Sequence, residues 1–176
     1  MIVLGLAVGK GSTPLDDWFL RLGHGPVGML HDLANPLLLI VLVLVVPSAA
    51  LFRRRWRFAA VALLFPPAAY LLVQFIKPFF GRMKDGGLAY PSGHITITTV
   101  VFGLFVLMAG GALWAVLVAV AYVALAMVGV GSTFHYFTDT VGGVLLGTSV
   151  VALAALVAHR DLTPVNPGAI QITRGG

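Results

Sequence analysis

Polar residues are so scarce in this chain that their positions are informative. One cluster, Tyr90-Pro91-Ser92-Gly93-His94, directly precedes a long apolar run. Pro91 interrupts any preceding helix, Ser92 can cap the next one, and Gly93 leaves the first backbone N–H groups open to close approach. A helix N-terminus of this kind binds anions, and His94 on its first turn can donate a proton to a leaving oxygen. Taken alone, the segment fits a Ser-capped helix with an interfacial histidine equally well.

A second pair of ionisable residues lies further along the chain. His135 and Asp139 are four residues apart at the start of another apolar run, and on a helix this spacing places them on one face. The carboxylate can then accept a hydrogen bond from one imidazole nitrogen, which fixes the tautomer and leaves the other nitrogen as a base or nucleophile. An interfacial histidine beside an aspartate that matches the helix dipole is the simpler alternative.

A third segment supplies positive charge. Lys77, Arg82 and Lys84 lie shortly before the Ser-Gly-His cluster, although contact with anionic lipid would explain this segment on its own. Together the three segments provide an anion-binding helix end, cations, a proton donor and an oriented imidazole. Phosphoryl transfer needs that set, because fixed cations and backbone N–H groups stabilise the charge of its transition state.

The composition indicates where these residues must be held. Of the 176 residues, 59% are hydrophobic and only 10% are charged, against about 25% charged in a soluble domain. The bilayer must therefore be the main solvent. The net charge of +5 comes from basic residues in short loops, which indicates membrane topology and anionic lipid and not nucleic acid. The chain has no cysteine, which excludes disulfides, thiolate metal sites and cysteine nucleophiles.

Five apolar runs predict an all-α, polytopic transmembrane helix bundle. They cover about residues 33–52, 58–76, 93–108, 113–130 and 138–158, each near the roughly 20 residues that a span requires. We expect a single domain over residues 1–176. It comprises an N-terminal segment (1–32), the transmembrane bundle (33–158) and a cytoplasmic tail (159–176).

The N-terminal segment contains two pieces. Residues 1–9 are apolar but too few to cross a bilayer, and they fit the end of a longer helix or a short re-entrant or interfacial piece. Thr13 can cap a helix that begins at Pro14, with Asp16 and Asp17 at the positive end of its dipole. We interpret Pro14 to about Gly23 as an amphipathic interfacial helix, with an extramembrane helix packed on the loops as the alternative.

The orientation follows from the basic loops. The segment Arg53-Arg54-Arg55-Trp56-Arg57 is the densest basic cluster, so the loop after the first span is expected in the cytoplasm. The Lys77–Lys84 and His135 segments would then face outward, although the basic character of the former argues weakly the other way. The abundance of Ala, Val, Gly and Leu suggests a GC-rich bacterium, and hence a bacterial plasma membrane.

In their order, the three segments resemble the type 2 phosphatidic acid phosphatase (PAP2) superfamily of membrane lipid phosphatases. The resemblance covers about residues 77–147, and the Pro-Ser-Gly-His block is fairly specific when a His-x-x-x-Asp follows at the next outward loop. It implies that His135 is the nucleophile and forms a phosphohistidine, that Asp139 orients it, and that His94 is the general acid. It also implies no metal and no cofactor. The substrate phosphate would be held by Lys77, Ser92 and Gly93, with Arg82 and Lys84 as further cations.

Two positions depart from the family pattern. Lys84 and Asp85 stand where the first motif usually has Arg-Pro, and a lysine replaces an arginine as a point charge but not as a bidentate fork. Val128 and Gly129 stand where the third motif usually has Ser-Arg. Losing a cation from the phosphate clamp could cost orders of magnitude in rate. Compensation would have to come from other polar residues nearby: Arg82, Ser132 or Thr133.

Several alternatives follow from the residues. The departures motivate the alternative to an active lipid phosphatase, which is a catalytically weak or inactive relative that binds or moves phospholipid. A metal site built from His94, His135 and Asp139 is permitted by spacing but disfavoured by the cations nearby. Glycines in and before the last span would allow close helix approach, either within one chain or, less favoured, between two copies: Gly129, Gly131, Gly142, Gly143 and Gly147. The expected partners are the bilayer and a membrane lipid phosphate; the oligomeric state is left open.

Overall fold

The helices of a computed structural model follow the apolar runs. The structure describes residues 1–162, with side chains through residue 158, so most of the expected tail lies outside the described residues. Two short N-terminal helices, α1 (Ile2–Val8) and α2 (Pro14–Leu22), are followed by a 3-10 helix at Pro26–Ala34. The long helices are α3 (Pro36–Phe52), α4 (Trp56–Phe80), α5 (Gly93–Met108), α6 (Leu113–Gly131) and α7 (Phe137–Leu162). A small hairpin, β1 (Met83–Lys84) and β2 (Gly87–Leu88), connects α4 to α5.

The prediction of five full spans is wrong. Within the described residues, α4, α6 and α7 are long and apolar enough to cross a membrane. The 3-10 helix and α3 pass the same test only as a pair, and they meet at a bend of 44°. Helix α5 has 16 residues, or about 24 Å of length at 1.5 Å per residue, which is shorter than a hydrocarbon core of about 30 Å. The described chain therefore supplies three candidate spans, or four if the bent pair is one element.

The outward face of the bundle is apolar. Leu37 on α3 and Leu71 on α4 are 74% and 68% exposed, and Leu156 on α7 is 74% exposed. Soluble monomers rarely expose contiguous apolar patches of more than a few hundred Å², so this surface suits a lipid environment. The helical architecture confirms the all-α class predicted from the sequence. The apolar surface agrees with the predicted membrane location.

Small residues bring α5 and α7 together. A Cβ atom added at Gly143 would lie 2.7 Å from the Ser92 carbonyl oxygen, and one at Gly147 would lie 2.7 Å from the Thr99 Cβ atom. Neither position has room for a side chain, which lets the two backbones approach closely. These glycines therefore serve packing within one chain, the favoured one of the two predicted uses.

Helix α2 begins where its capping sequence predicts. The Thr13 hydroxyl accepts from the Asp16 backbone N–H at 3.3 Å, and the Asp16 carboxylate accepts from the Thr13 N–H at 2.9 Å, which is a capping box. The rings of Phe19 and Phe137 stack with centroids 3.7 Å apart. Helix α2 thus lies against the start of α7, and Asp16 is fully buried in that contact.

The Arg53–Arg57 cluster and the predicted site residues lie at opposite ends of the bundle. The Arg55 guanidinium donates to the Met108 carbonyl oxygen, 3.5 Å away, at the C-terminal end of α5. Lys77 lies in the last turn of α4, and His94 lies in the first turn of α5. The antiparallel arrangement of these two helices therefore gathers the sequence-predicted site residues at one end.

Candidate active site

A glycine turn and a serine cap hold the segment between α4 and α5 in place. Gly81 ends α4 in the left-handed conformation, with φ of 57°. Ser92 is buried, and its hydroxyl accepts from the Ile95 N–H at 3.5 Å. The Ser92 N–H donates to the Asp139 carbonyl oxygen at 3.0 Å. This backbone bond joins the Ser-Gly-His turn directly to the first turn of α7, so the two predicted motifs meet.

The two histidines lie side by side. The ring centroids of His94 and His135 are 6.2 Å apart, and the His94 ring also meets the edge of Phe134 at 5.4 Å. Both histidines line one cavity together with Lys77 and Gly93. The structure thus brings together four of the eight residues predicted for the site.

This cavity continues between two helices of the bundle. Its volume is about 730 Å³, within the roughly 300–1,000 Å³ of ligand pockets. Its walls away from the histidines are mainly apolar side chains of α3 and α4: Pro36, Leu39, Ile40, Val43, Leu44, Leu63, Pro66, Pro67, Tyr70 and Gln74, with Ile97 from α5. A cavity with a cationic, imidazole-bearing end and an apolar wall matches an amphiphile with an anionic head. The contribution of α3 had no signal in the sequence beyond its apolar character.

Asp139 lies close to His135 without a hydrogen bond between them. The His135 Nδ1 atom is 3.6 Å from Asp139 Oδ2, and it is buried with no hydrogen-bond partner. Asp139 Oδ2 accepts from the Tyr136 N–H at 3.0 Å, and its Oδ1 accepts from Arg82 at 2.8 Å. The carboxylate is therefore held by two other donors. Its Oδ2 atom faces the unpaired His135 Nδ1 atom just beyond hydrogen-bonding distance. Such bonds often tighten only when substrate is bound.

Arg82 does not face the cavity. Its side chain is fully buried, and its guanidinium, which has five N–H donors, makes five hydrogen bonds. Its acceptors are the Gly11 carbonyl oxygen, twice, and side-chain oxygens of Asp16, Thr138 and Asp139, at 2.6–3.1 Å. Arg82 could bind phosphate only by giving up one of these partners. Its role as a phosphate ligand stays a prediction, and in the structure its side chain joins the N-terminal segment to α7.

Lys84 also binds protein groups. Its side chain is 8% exposed, and its ammonium contacts the carbonyl oxygen of Thr133 and that of His135, the latter at 3.2 Å. Burial lowers the pKa of this ammonium, and the nearby carboxylates of Asp85, Asp139 and Asp16 partly oppose that effect. Lys84 fastens the loop that carries His135 and is not among the residues that line the cavity, so its contact with a substrate phosphate stays a prediction.

The hydroxyl groups proposed as compensating donors are also engaged. Ser132 and Thr133 both donate to the Gly129 carbonyl oxygen, at 3.0 Å and 2.9 Å. Among the described residues that line the cavity, Lys77 is the basic one besides the two histidines. The cavity therefore offers an anion one lysine, the two histidines and the α5 N-terminus.

The 3-10 helix explains why position 129 is a glycine. A Cβ atom there would lie 2.2 Å from the Leu30 carbonyl carbon and 2.3 Å from the His31 backbone nitrogen. The backbone of the 3-10 helix thus occupies the space that a side chain at position 129 would need. The Tyr122 hydroxyl reinforces the contact by donating to the Leu33 carbonyl oxygen at 2.8 Å.

Asp16, Thr138 and the Gly11 carbonyl are the members of this site that sequence reasoning missed. Asp16 was interpreted as a helix-dipole residue, but it is fully buried between Arg82 and Thr138. The visible signal was the capping sequence from Thr13 to Asp16, and it does not distinguish an exposed carboxylate from a buried one. As for a metal, the part of the chain that the structure describes contains no group of three His, Asp or Glu residues placed to hold an ion.

Comparison of the chain with models of protein families, with characterised proteins and with solved structures gives no match.

Proposed function

We propose that this protein is a metal-independent lipid phosphatase that hydrolyses a phosphomonoester or diphosphate of a membrane lipid through a phosphohistidine. The observation that supports this is the single cavity that joins Lys77, Gly93, His94 and His135 to an apolar wall. An anionic headgroup would lie at the imidazole end, and the lipid chain would lie between α3 and α4. The motifs that resemble the PAP2 superfamily support the same reaction.

The first step transfers the phosphoryl group to the protein. The His135 Nε2 atom attacks phosphorus, an N–P bond forms, and the bond from phosphorus to the lipid oxygen breaks. His94 donates its proton to the departing oxygen, so the lipid leaves as an alcohol from a monoester or as a monophosphate from a diphosphate. The proton on His135 Nδ1 stays in place, and the phosphorylated ring faces the Asp139 carboxylate.

The second step returns the protein to its starting state. A water molecule attacks the phosphohistidine, one of its protons passes to His94, and the N–P bond breaks to release inorganic phosphate. One water is consumed per turnover and both histidines are regenerated. Lys77 and the free N–H groups at the Gly93 end of α5 stabilise the oxygens of the transferring group in both steps.

The sidedness is also part of the proposal. The Arg53–Arg57 cluster is expected in the cytoplasm by the positive-inside rule, and the site lies at the other end of the bundle. The active site would then be on the extracytoplasmic side of a bacterial plasma membrane. Substrates that present a phosphate there include polyprenyl phosphates and diphosphates, phosphatidylglycerol phosphate and phosphatidic acid.

The test is a phosphate-release panel over those four lipid classes with the purified protein. We expect turnover of at least one lipid, with His135→Ala reducing it to background. The matched control is His24→Ala, because His24 is exposed and lies outside the cavity lining. Equal turnover by His135→Ala and the wild type would remove the phosphohistidine mechanism.

A second function is favoured by one observation. Arg82 and Lys84 are bound to protein groups and Gly129 has no room for a side chain, so the clamp holds fewer cations than phosphoryl transfer normally uses. A protein that binds or moves a phospholipid without hydrolysing it would need no further cations. Binding of the panel lipids without release of phosphate would support that alternative.

A further inference from the structure

A buried charge network connects the N-terminal helix to the proposed nucleophile. Arg82 Nη2 donates to Asp16 Oδ2 on α2 at 2.7 Å, and Arg82 Nη1 donates to Asp139 Oδ1 on α7 at 2.8 Å. All three side chains are fully buried. Arg82 therefore bridges two carboxylates that lie 123 positions apart in the sequence, and the second of them faces His135.

The N-terminal end of this network is itself fixed. Asp16 Oδ1 accepts from the Thr138 backbone N–H at 2.8 Å, and the Thr138 hydroxyl lies 3.0 Å from the same oxygen. Asp16 Oδ2 also accepts from the Thr13 N–H and hydroxyl at 2.9 Å and 2.8 Å. Both carboxylate oxygens are thus held by several donors, which leaves Asp16 little freedom to move.

The network also carries a defined charge. Two carboxylates and one guanidinium sum to a net charge of −1, with the Tyr136 ring 4.4 Å from the guanidinium. A buried ionic group is tolerated only when its partners satisfy it, and here Arg82 has no unused donor. The Lys84 ammonium interacts with both carboxylates, so the charge that faces His135 is the Asp139 carboxylate itself, beside an imidazole that becomes cationic when phosphorus bonds to Nε2.

We propose that Asp16 and Arg82 are positioning residues, through which helix α2 holds the Asp139 carboxylate in place against His135. The proposal rests on the proposed function, since it assigns these residues to the phosphohistidine step. Arg82 occupies Asp139 Oδ1, and Oδ2, which also accepts from the Tyr136 N–H, faces His135 Nδ1 at 3.6 Å. The N-terminal segment is then part of the catalytic apparatus and not merely a membrane anchor.

The test compares two neighbouring aspartates on one helix turn. Asp16→Asn keeps the shape of the side chain but removes its charge, and in either orientation of the amide its NH2 group faces a fixed donor. Asp17→Asn is the matched control, because Asp17 lies in the same first turn and is exposed. We expect Asp16→Asn to lower kcat about 10- to 100-fold, as for a small displacement of a catalytic group, with KM nearly unchanged because Lys77 and Gly93 are untouched. Asp17→Asn should match the wild type.

A rapid-quench experiment separates positioning from structural damage. The probe is the radiolabelled form of the panel lipid that turns over fastest. If Asp16 positions the nucleophile, the rate constant for phosphohistidine formation falls, and the labelled fraction of protein falls no further than the slower formation requires. A reduced labelled fraction with an unchanged rate constant would show a purely structural role and overturn the proposal. Thr138→Val provides a second, milder variant that keeps all charges, should Asp16→Asn fail to fold, and it must shift the same rate constant.

A double-mutant comparison checks the route of the effect. If Asp16 acts through Asp139, adding Asp16→Asn to Asp139→Asn should lower kcat little further, because contacting residues in one network are not additive. The proposal would be overturned if the double variant lowered kcat by the product of the two single-variant factors. A wild-type protein that hydrolyses no panel lipid would remove the proposed function itself, whereas an active wild type with a fully active Asp16→Asn variant would remove only this inference.

Discussion

The Nδ1 atom of His135 lies 3.6 Å from Asp139 Oδ2 and has no hydrogen-bond partner. A buried nitrogen without a partner costs free energy, and a small movement of the ring would remove that cost by forming the bond. The site is therefore held one short step from a histidine–aspartate pair, with the carboxylate fixed and the imidazole free to adjust.

Replacing Asp139 should remove most of the activity. Asp139→Asn keeps the volume but offers an amide that no longer stabilises the cationic imidazole, so we expect kcat to fall by about 10²- to 10⁴-fold, the usual range for such groups. Steady-state phosphate release measures it. Asp85→Asn is the control, because the Asp85 side chain is 77% exposed; a similar loss there would show that the effect is not local.

Removing the buried arginine should destabilise the fold. Arg82→Ala leaves two buried carboxylates without their shared partner, and breaking a buried ion pair from one side costs about 3–5 kcal/mol. The measurement is the thermal unfolding midpoint in detergent. Arg21→Ala, at an exposed position on α2, should leave the midpoint nearly unchanged, and an equal midpoint for both variants would contradict the buried network.

Introducing an arginine at position 129 should not strengthen phosphate binding. Gly129→Arg, and even Gly129→Ala, would force the 3-10 helix away from α6, since a Cβ atom there meets backbone atoms at 2.2–2.5 Å. We expect a lower unfolding midpoint and lower activity for both. Gly25→Ala is the control, because its nearest contact would be 3.6 Å. Higher activity in Gly129→Arg would refute the packing argument.

Acidification should destabilise the protein through Asp16. Burial alone would raise the pKa of this carboxyl, but hydrogen bonds from Thr138, Thr13 and Arg82 outweigh it and hold the pKa below its ordinary value of 3.8. Because the folded pKa is depressed, the stabilisation is present above the unfolded pKa and is lost as pH falls through the folded pKa. Unfolding midpoints between neutral and strongly acidic pH should fall less steeply for Asp16→Asn than for the wild type.

The apolar wall of the cavity should set selectivity for the lipid chain. Val43→Trp would fill part of the space between α3 and α4, so we expect KM to rise for long-chain lipid phosphates and to stay the same for a small soluble phosphate ester. Leu117→Trp is the control, since Leu117 is 60% exposed on α6 and lies outside the cavity lining. Equal KM changes for long-chain and soluble substrates would argue against chain binding there.

Local signals in the sequence predicted the local features of the fold. The Ser92 cap and the apolar run after it set α5 at Gly93–Met108, and Thr13 with Pro14 set the start of α2. Helix ends depend on a few neighbouring residues, so they can be read from short segments. The number of spans was predicted less accurately, because an apolar run of 16 or 20 residues does not show whether its helix is bent, short or extended by a neighbour.

The roles of the charged residues depended on distant partners. Lys77, Arg82 and Lys84 are equally basic in sequence, yet one lines the cavity and two bind carboxylate or carbonyl oxygens of the protein. Which partner each cation finds is decided by tertiary packing of α2 and α7, and no local pattern encodes it. The same holds for Gly129, where a side chain is excluded because the backbone of the 3-10 helix packs against it.

The bonds between Asp16 and Thr138 span 122 residues of chain. During synthesis Asp16 emerges before helices α3 to α6, whereas Thr138 emerges only with α7. Until α7 is in place, the Asp16 carboxylate lacks two of its donors and Asp139 is not held beside His135. The proposed hydrolysis would therefore begin only once α2 and α7 have met.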